Sequence, residues 1–150
     1  MSAVLEPPVP VPGTVDDQVA IMAALGQLTW MLDHRTWDRL GEVMAPDVDA
    51  YGAQGLDTVV STVIRPLLGG CGPSQHLLGN HQIAIADDEA RSMVYARVHH
   101  RGAEPDSERW WECMGEYHDD WHRTPEGWRM ARRVFVVTMS HGDYSVLQPG

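Results

Sequence analysis

The sequence predicts an α+β fold in which helices come first along the chain and antiparallel strands follow. Three observations support this: apolar residues recur at helical spacing up to residue 70, four strand-like segments follow residue 75, and turn-forming residues separate those segments. Helices followed by a run of strands are typical of helices packed on one face of a curved sheet. The 150 residues are enough for one domain with one hydrophobic core.

This domain is predicted to span residues 14–143. Residues 1–13 include four prolines, and proline at that density blocks both helices and central strands, so they are predicted to form a flexible tail. Residues 144–150 are predicted to form a short C-terminal tail.

The first helix is predicted over Asp16–Leu32. Thr14 is suited to cap its first turn, and Asp16 and Asp17 are acids that the positive end of a helix favours. The apolar side chains of this helix fall on one face. The remaining predicted elements are a short helix over Trp37–Met44, a brief strand over Asp47–Tyr51, a third helix from Asp57 to the Pro66–Gly70 segment, and strands over His76–Ala86, Arg91–His100, Arg109–His122 and Trp128–His141.

Charge and cysteine content exclude several classes of function. The formal net charge of −10 argues against nucleic acid or an anionic membrane as a partner, since both require a basic surface. Cys71 and Cys113 lie far apart in the sequence, so we expect reduced cysteines rather than a disulfide framework. There is no secretion signal and no apolar run of membrane-spanning length, so the sequence predicts a cytoplasmic protein.

The alternation of residues along the strands selects the first site candidates. In Arg91–His100 the even positions are the apolar ones, so they are predicted to face inward and to place His100 at the inner end of an apolar stripe. A histidine there is compatible with a packed core residue or with an acid/base catalyst. His99 is predicted to face outward.

A second candidate is His76, in the stretch that also contains His81. Side chains five residues apart on a regular strand point to opposite faces, so the two histidines cannot line one pocket unless a bulge intervenes. His76 shares its face with Leu78 and Asn80, a mixture that suits a ligand pocket. His81 shares its face with isoleucines and is predicted to serve packing or an interface.

The third candidate is Asp33, at the end of the first helix next to its apolar stripe. A carboxylate buried there against an imidazole would form an acid/base pair that works near neutral pH. An ordinary solvated aspartate is the alternative. A metal site is not predicted: His118 and His122 share a face of a strand but would stand more than about 10 Å apart at about 3.3 Å per residue.

Several segments together resemble the SnoaL-like branch of the nuclear transport factor 2-like superfamily. The resemblance covers about residues 15–142 and rests on motifs that occur in the right order: LDHRTWDRLGEVMAPDV, SQHLLGN, MGEYHDDWHR and GWRMARR. It implies a cone in which a strongly curved, mainly antiparallel sheet wraps three helices around a deep pocket. It also implies a homodimer through the outer face of the sheet.

Within that superfamily the motifs are most similar to those of scytalone dehydratases. By this resemblance, Asp33 corresponds to an aspartate before a DRL segment, and His76 to the histidine of a QH motif. His100 corresponds to a histidine on the next strand, and Tyr51 to a tyrosine after an AP pair. In those enzymes an Asp–His pair and a second histidine transfer protons, and tyrosines hold a water against the substrate carbonyl. The resemblance therefore implies catalytic roles for all four residues.

The match departs from the family at specific positions. Leu32 stands where a second tyrosine is expected, and no residue clearly matches an expected asparagine, for which His118, Asp119 and Trp121 are alternatives. Scytalone is therefore not the predicted substrate. An epoxide hydrolase of this fold would need an inward arginine, and Arg97 is predicted to face outward.

The predicted function is acid/base catalysis without a cofactor or metal on a small, largely apolar ligand. We expect dehydration or isomerisation next to a carbonyl, with His100 held by Asp33 as base and His76 at the leaving oxygen. Alternatives on the same fold are a binding or assembly module without catalysis, and a cyclase or epoxide hydrolase. The residues predicted to contact the ligand are Trp30, Leu78, Asn80, Val98, Trp111 and Tyr117.

Overall fold

The structure, a computed structural model, describes residues 6–7 and 14–147. The predicted N-terminal tail thus lies largely outside the described residues. None of the helices within the described ranges has the length and apolar character needed to cross a membrane.

The first helix, α1, spans Val15–Asp33, and the sequence predicts it almost to the residue. The Thr14 hydroxyl accepts a hydrogen bond of 3.2 Å from the Asp17 backbone N–H, which caps the first turn as predicted. Its apolar face is buried, with Ile21, Leu25 and Leu28 wholly inaccessible to solvent. The helix packs on the sheet through this face, and its last residue, Asp33, is placed beside the strand that begins at Cys71.

The segment after α1 is less helical than predicted. A 3₁₀-helix covers Trp37–Glu42, and strand β1 begins at Met44 and runs to Ala50, followed by a short strand β2 over Ala53–Gln54. Pro46 is compatible with β1 because that strand pairs with its neighbours only at its ends. The brief strand predicted here is therefore real but starts earlier.

The third predicted helix is continuous but changes its winding. It comprises α2 (Leu56–Val59), a π-helical turn (Val60–Ile64) and α3 (Arg65–Gly70). Pro66 does not end it, because this proline lies just after the π-helical turn, where the hydrogen-bond pattern of the helix changes. π-helical turns inside helices often occur at functional sites, and this one supplies two cavity residues, Val63 and Ile64.

Four long strands complete the domain: β3 (Cys71–Ala86), β4 (Glu89–Gly102), β5 (Trp110–Thr124) and β6 (Gly127–Gly142). The six strands form one sheet in the order β2-β1-β6-β5-β4-β3, in which only β1 and β6 are parallel. The helices pack on one side of this mixed sheet. The α+β fold predicted from the sequence is therefore confirmed.

Residues 144–147 of the predicted C-terminal tail pack against the domain. Tyr144–Leu147 form a 3₁₀-helix, and Val146 and Leu147 are buried in the core. Arg109 donates hydrogen bonds to the Asp143 carboxylate at 2.7 and 2.9 Å, which fixes this helix against the sheet. A segment this short has no periodicity to reveal it in the sequence.

Candidate functional site

The centre of the site is a pair formed by Asp33 and His76. His76 Nδ1 lies 2.7 Å from Asp33 Oδ1, and the His76 backbone N–H donates to Asp33 Oδ2 at 2.8 Å. The Ser74 hydroxyl donates to Oδ1 at 2.9 Å. Because a carboxylate only accepts, Nδ1 of His76 carries the proton in this contact, and its Nε2 presents a lone pair.

The pair is buried, with 6% of the His76 side chain and 13% of the Asp33 side chain exposed. Burial acts to raise the pKa of Asp33, but the hydrogen bonds that it accepts from the His76 side chain, from the His76 backbone N–H and from Ser74 outweigh it and hold the pKa below its usual range. Asp33 is therefore ionised at neutral pH.

Arg35 supports the Asp33 carboxylate indirectly, through Ser74. It adopts a left-handed conformation with φ of 58°, which is uncommon for a residue other than glycine. Its guanidinium donates to the Ser74 hydroxyl at 3.1 Å, to the Leu68 carbonyl at 3.2 Å and to the Gly72 carbonyl. It thus joins the end of α1, the end of α3 and the start of β3.

His100 does not pair with Asp33, so that predicted contact is wrong. Its ring centroid lies 6.3 Å from that of His76, nearly perpendicular to it, and its Nδ1 lies 3.3 Å from the Trp111 carbonyl oxygen. Within residues 14–147, Asp33 has no hydrogen bond to His100. The swap arises because β3, not β4, lies against the end of α1.

His100 is largely buried, and its surroundings disfavour the imidazolium form. Burial, followed by the nearby His76, lowers the pKa of His100 to about 4, although the hydrogen bond to the Trp111 carbonyl opposes the shift. His100 is therefore neutral at neutral pH. Since its Nδ1 donates to a carbonyl, its Nε2 can accept a hydrogen bond from a ligand.

Both histidines open into a cavity of about 410 Å³ between the sheet and the helices. Its wall is almost entirely apolar or aromatic, as is usual for pockets that take small organic ligands. The wall is formed by Leu32, Tyr51, Val63, Ile64, Leu67, Leu68, His76, Val98, His100, Trp111, Cys113, Tyr117, Phe135, Val137, Tyr144 and Leu147.

Tyr51 lines this cavity away from the Asp33–His76 pair. It follows β1 in a left-handed conformation, with φ of 55°, a strained backbone of the kind that clusters at functional sites. Its hydroxyl oxygen lies 3.4 Å from Nη1 of Arg133, which donates to it.

Arg133 and Asp119 form a wholly buried ion pair behind this tyrosine. They are directly opposite one another on β6 and β5, and two parallel hydrogen bonds of 2.7 and 2.8 Å join them. Burial disfavours a charged arginine, but the Asp119 carboxylate outweighs it and holds the pKa of Arg133 above its usual range. The guanidinium carbon lies 3.8 Å from the centre of the Tyr117 ring, a cation–π contact.

Of the residues predicted to contact a ligand, half line the cavity. Val98, Trp111 and Tyr117 are in its wall, whereas Trp30, Leu78 and Asn80 are not. Trp30 is 48% exposed and stacks on His34, because it lies on the outer side of α1. Leu78 packs against the core without reaching the cavity.

Asn80 is displaced from the inward face by a bulge in β3. The pairing of β3 with β4 shifts between Gly79 and Gln82, and Asn80 is exposed with φ of 52°. The inward face therefore changes from even positions, such as His76, to odd positions, such as Ile83. His81 is partly buried and lies outside the cavity wall, in line with its predicted packing role.

Sequence reasoning missed the Asp119–Arg133 pair, the Arg35–Ser74 support and the C-terminal helix. Each depends on side chains distant in sequence, so local patterns do not reveal it. Arg97 does face outward as predicted, with a side chain 62% exposed and paired to Glu112 at 2.9 Å. Within the described ranges, no three His, Cys, Asp or Glu side chains cluster in a way that could hold a metal ion.

Comparison with known sequences finds a family and relatives. The family model described as SnoaL-like domain matches residues 13–134. An uncharacterised protein of Mycobacterium tuberculosis strain H37Rv is 30% identical over 146 residues, covering 89% of this chain and 94% of that protein. A protein of Mycobacterium bovis has the same identity and coverage.

Solved structures with the same fold share little sequence with the chain. A protein of Novosphingobium aromaticivorans provisionally named scytalone dehydratase has a TM-score of 0.75 and 20% identity, covering 86% of this chain and 89% of its own. A hexachlorocyclohexane dehydrochlorinase of Novosphingobium barchaimii has a TM-score of 0.71 and 14% identity, with coverage of 86% and 91%. A nuclear transport factor 2-like protein of Salmonella enterica has a TM-score of 0.75 and 11% identity, with coverage of 85% and 94%. These similarities support the fold.

Proposed function

Starting from the fact that this chain belongs to the SnoaL-like family, we propose that it is a lyase or isomerase that removes a proton from a carbon of a small, largely apolar ligand. The observation that carries this proposal is the buried Asp33–His76 pair, with Nδ1 and Oδ1 2.7 Å apart, at the wall of an apolar cavity. The family resemblance of these residues and the neighbours named dehydratase and dehydrochlorinase also support it.

His76 is the base in the proposed reaction. Its Nδ1–H donates to ionised Asp33, so its Nε2 is free to take a proton from a ligand carbon activated by a carbonyl group. The imidazolium that forms is stabilised by the adjacent carboxylate. The proton then leaves with a departing hydroxyl as water in a dehydration, or returns to another carbon in an isomerisation.

His100 takes the opposite role to the one predicted from the sequence. With a pKa of about 4, it is a weak base, and it is scarcely protonated at neutral pH. It therefore accepts a hydrogen bond from a hydroxyl of the ligand and orients it, while Tyr51 hydrogen-bonds to an oxygen of the ligand. No step in this scheme calls for a cofactor.

A proton-exchange assay tests the base without knowledge of the natural substrate. The probe is 2-tetralone, an apolar two-ring ketone, incubated with the protein in D₂O while NMR follows deuterium uptake beside the carbonyl. We expect His76→Ala and Asp33→Asn to lower the catalysed rate by about 10²–10⁴-fold, the usual contribution of a general base. His81→Ala, a histidine outside the cavity wall, is the matched control and should keep the wild-type rate.

The outcome separates the two classes of function. Binding of the ketone without catalysed exchange would favour a ligand-binding module over an enzyme. Full exchange in both His76→Ala and Asp33→Asn would remove the pair from the mechanism while leaving an enzyme.

We also propose a homodimer through the outer face of the sheet. A row of outward side chains crosses four strands at one level, Leu77, Arg97, Met114 and Met139, which are successive partners in the sheet. Leu77 is 63% and Met139 59% exposed, an apolar surface that suits a protein interface. A second copy of the chain would cover it.

A further inference from the structure

The cavity contains a polar group that neither the Asp33–His76 pair nor the fold uses. Tyr117 is 2% exposed and lines the cavity, yet within residues 14–147 its hydroxyl has no hydrogen-bond partner. This hydroxyl opens into the cavity, where an oxygen of a ligand can accept a hydrogen bond from it.

The surroundings of Tyr117 make it a donor. Burial and the neighbouring Tyr51 phenol raise the pKa of Tyr117 well above its usual range, so it keeps its proton. Arg133 contacts the face of its ring with the guanidinium carbon 3.8 Å from the ring centre, and donates to Tyr51 at 3.4 Å. With a lone pair of Tyr51 occupied by that donor, the Tyr51 proton is also directed to another acceptor.

The pairing of the strands gives the distance between this donor and the base. Val98 lies opposite His76, and Val94 lies opposite Tyr117. The two valines are four residues apart on β4, which corresponds to about 13 Å along the strand. His76 is on β3 and Tyr117 is on β5, two strands apart, which adds about 10 Å across the sheet at about 4.8 Å per strand, so their backbones lie about 16 Å apart.

We propose that Tyr117, beside Tyr51, forms a distal binding subsite for an acceptor oxygen on the ligand. Because Tyr117 and His76 lie far apart on the sheet, this oxygen is at the end of the ligand remote from the carbon that His76 deprotonates. The ligand class is therefore an apolar compound with a carbonyl, ether or similar oxygen at that remote end. The remote position relative to the reacting carbon rests on the proposed function, whereas the subsite itself does not.

The test compares two probes that differ only at the remote end, 2-tetralone and 6-methoxy-2-tetralone. Dissociation constants are measured by NMR titration with wild type, Tyr117→Phe and the matched control Tyr95→Phe, which removes a half-exposed hydroxyl from the outer face. Wild type and Tyr95→Phe should bind the methoxy probe about 3- to 10-fold more tightly than its parent, as expected for one hydrogen bond. Tyr117→Phe should lose this preference.

Three results would overturn the subsite. One is an unchanged preference in Tyr117→Phe, and another is failure of wild type to bind either probe. The third is a loss of stability in urea unfolding of Tyr117→Phe, since a hydroxyl that serves the fold would be missed, whereas one reserved for a ligand would not.

Exchange into the same probes keeps the subsite separate from the proposed function. A Tyr117-dependent preference without deuterium exchange would leave the subsite in place and remove the catalytic proposal. Exchange that depends on His76, together with a preference for the methoxy probe that Tyr117→Phe leaves unchanged, would keep the catalytic proposal and remove the subsite.

Discussion

At the scale of single residues, the site depends on how charge is handled in a buried setting. Asp33 remains ionised because three donors, two from His76 and one from Ser74, surround its carboxylate. The His100 ring, with its centroid 6.3 Å from that of His76, has a hydrogen bond only to the Trp111 carbonyl and stays neutral. Two histidines in one cavity thus have different properties, which is a common way for one site to assign separate tasks.

The low pKa of His100 predicts acid sensitivity of the fold. Its pKa is about 4 in the folded protein, against 6.5 for the unperturbed side chain. As pH falls from about 6.5 to 4, the unfolded chain binds a proton at this position and the folded chain does not, so stability falls through that window. The full effect is roughly 3 kcal/mol.

This is checked by urea unfolding of wild type and His100→Leu at several pH values between 7 and 4. The variant should lose a large part of the decline in unfolding free energy across this range. The same substitution at exposed His141 should keep the wild-type pH dependence. Equal slopes for wild type and His100→Leu would contradict the assignment.

Replacing one partner of the Asp119–Arg133 pair should lower the free energy of unfolding far more than replacing both partners together. Both side chains are wholly buried, so Arg133→Met leaves an unpaired carboxylate in the core and should destabilise the fold by about 3–5 kcal/mol. The double variant Arg133→Met/Asp119→Leu removes both charges and should regain most of that loss. Denaturant unfolding of the two single variants and the double variant measures the coupling; additive effects would argue against a tight pair.

At the scale of elements, irregularities in the strands set which side chains reach the cavity. The shift between Gly79 and Gln82 in β3 separates His76 from His81. In β6, Thr138 is an extra residue opposite the Met114–Gly115 step of β5. Bulges of this kind increase local twist and re-aim side chains, which a curved sheet requires. On the helical side of the cavity, the π-helical turn at residues 60–64 directs Val63 and Ile64 into the cavity wall.

The close approach of β6 at its bulge predicts a strong preference for glycine at position 115 of β5. A Cβ atom there would overlap the backbone carbonyl oxygen of Val136, which cannot move without disturbing β6. Gly115→Ala should therefore destabilise the fold by about 1–3 kcal/mol, the usual cost of overpacking. The matched control is Gly79→Ala, where a Cβ meets nothing within 4 Å. Thermal unfolding of both variants checks this, and equal effects would refute it.

At the scale of the whole molecule, the domain has a cavity on one face of its sheet and several exposed apolar side chains on the other. The inner face is closed by the helices and by Val146 and Leu147 of the C-terminal 3₁₀-helix. The outer face carries exposed Leu77, Tyr95 and Met139. Clustered exposed apolar side chains are typical of protein–protein interfaces.

This arrangement predicts that a charge on the outer face alters the oligomeric state. Met139→Glu should convert the proposed dimer to a monomer, because a carboxylate would be buried without a partner at the interface. The control is Val19→Glu on α1, where the residue replaced is 57% exposed. Analytical ultracentrifugation checks both; a monomeric wild type, or a Met139→Glu variant that remains dimeric, would rule out this interface.

The sequence by itself determined the α+β fold, the extent of α1 and the four long strands, because these elements follow from residue periodicity. Strand alternation also assigned the inward face of β4 and the outward direction of His99 and Arg97, since those faces depend only on neighbours in the chain. Asp33, His76 and His100 were selected partly in this way and partly from a family resemblance. Their catalytic roles remain predictions.

The tertiary structure decided which of these residues meet. The end of α1 lies against β3 rather than β4, so Asp33 pairs with His76 and leaves His100 to a carbonyl. Asp119 and Arg133 meet only because the β5–β6 register places them opposite one another. Pairing of side chains from distant elements depends on register, bulges and helix packing, which are set by the whole core and are not encoded in any local segment of the chain.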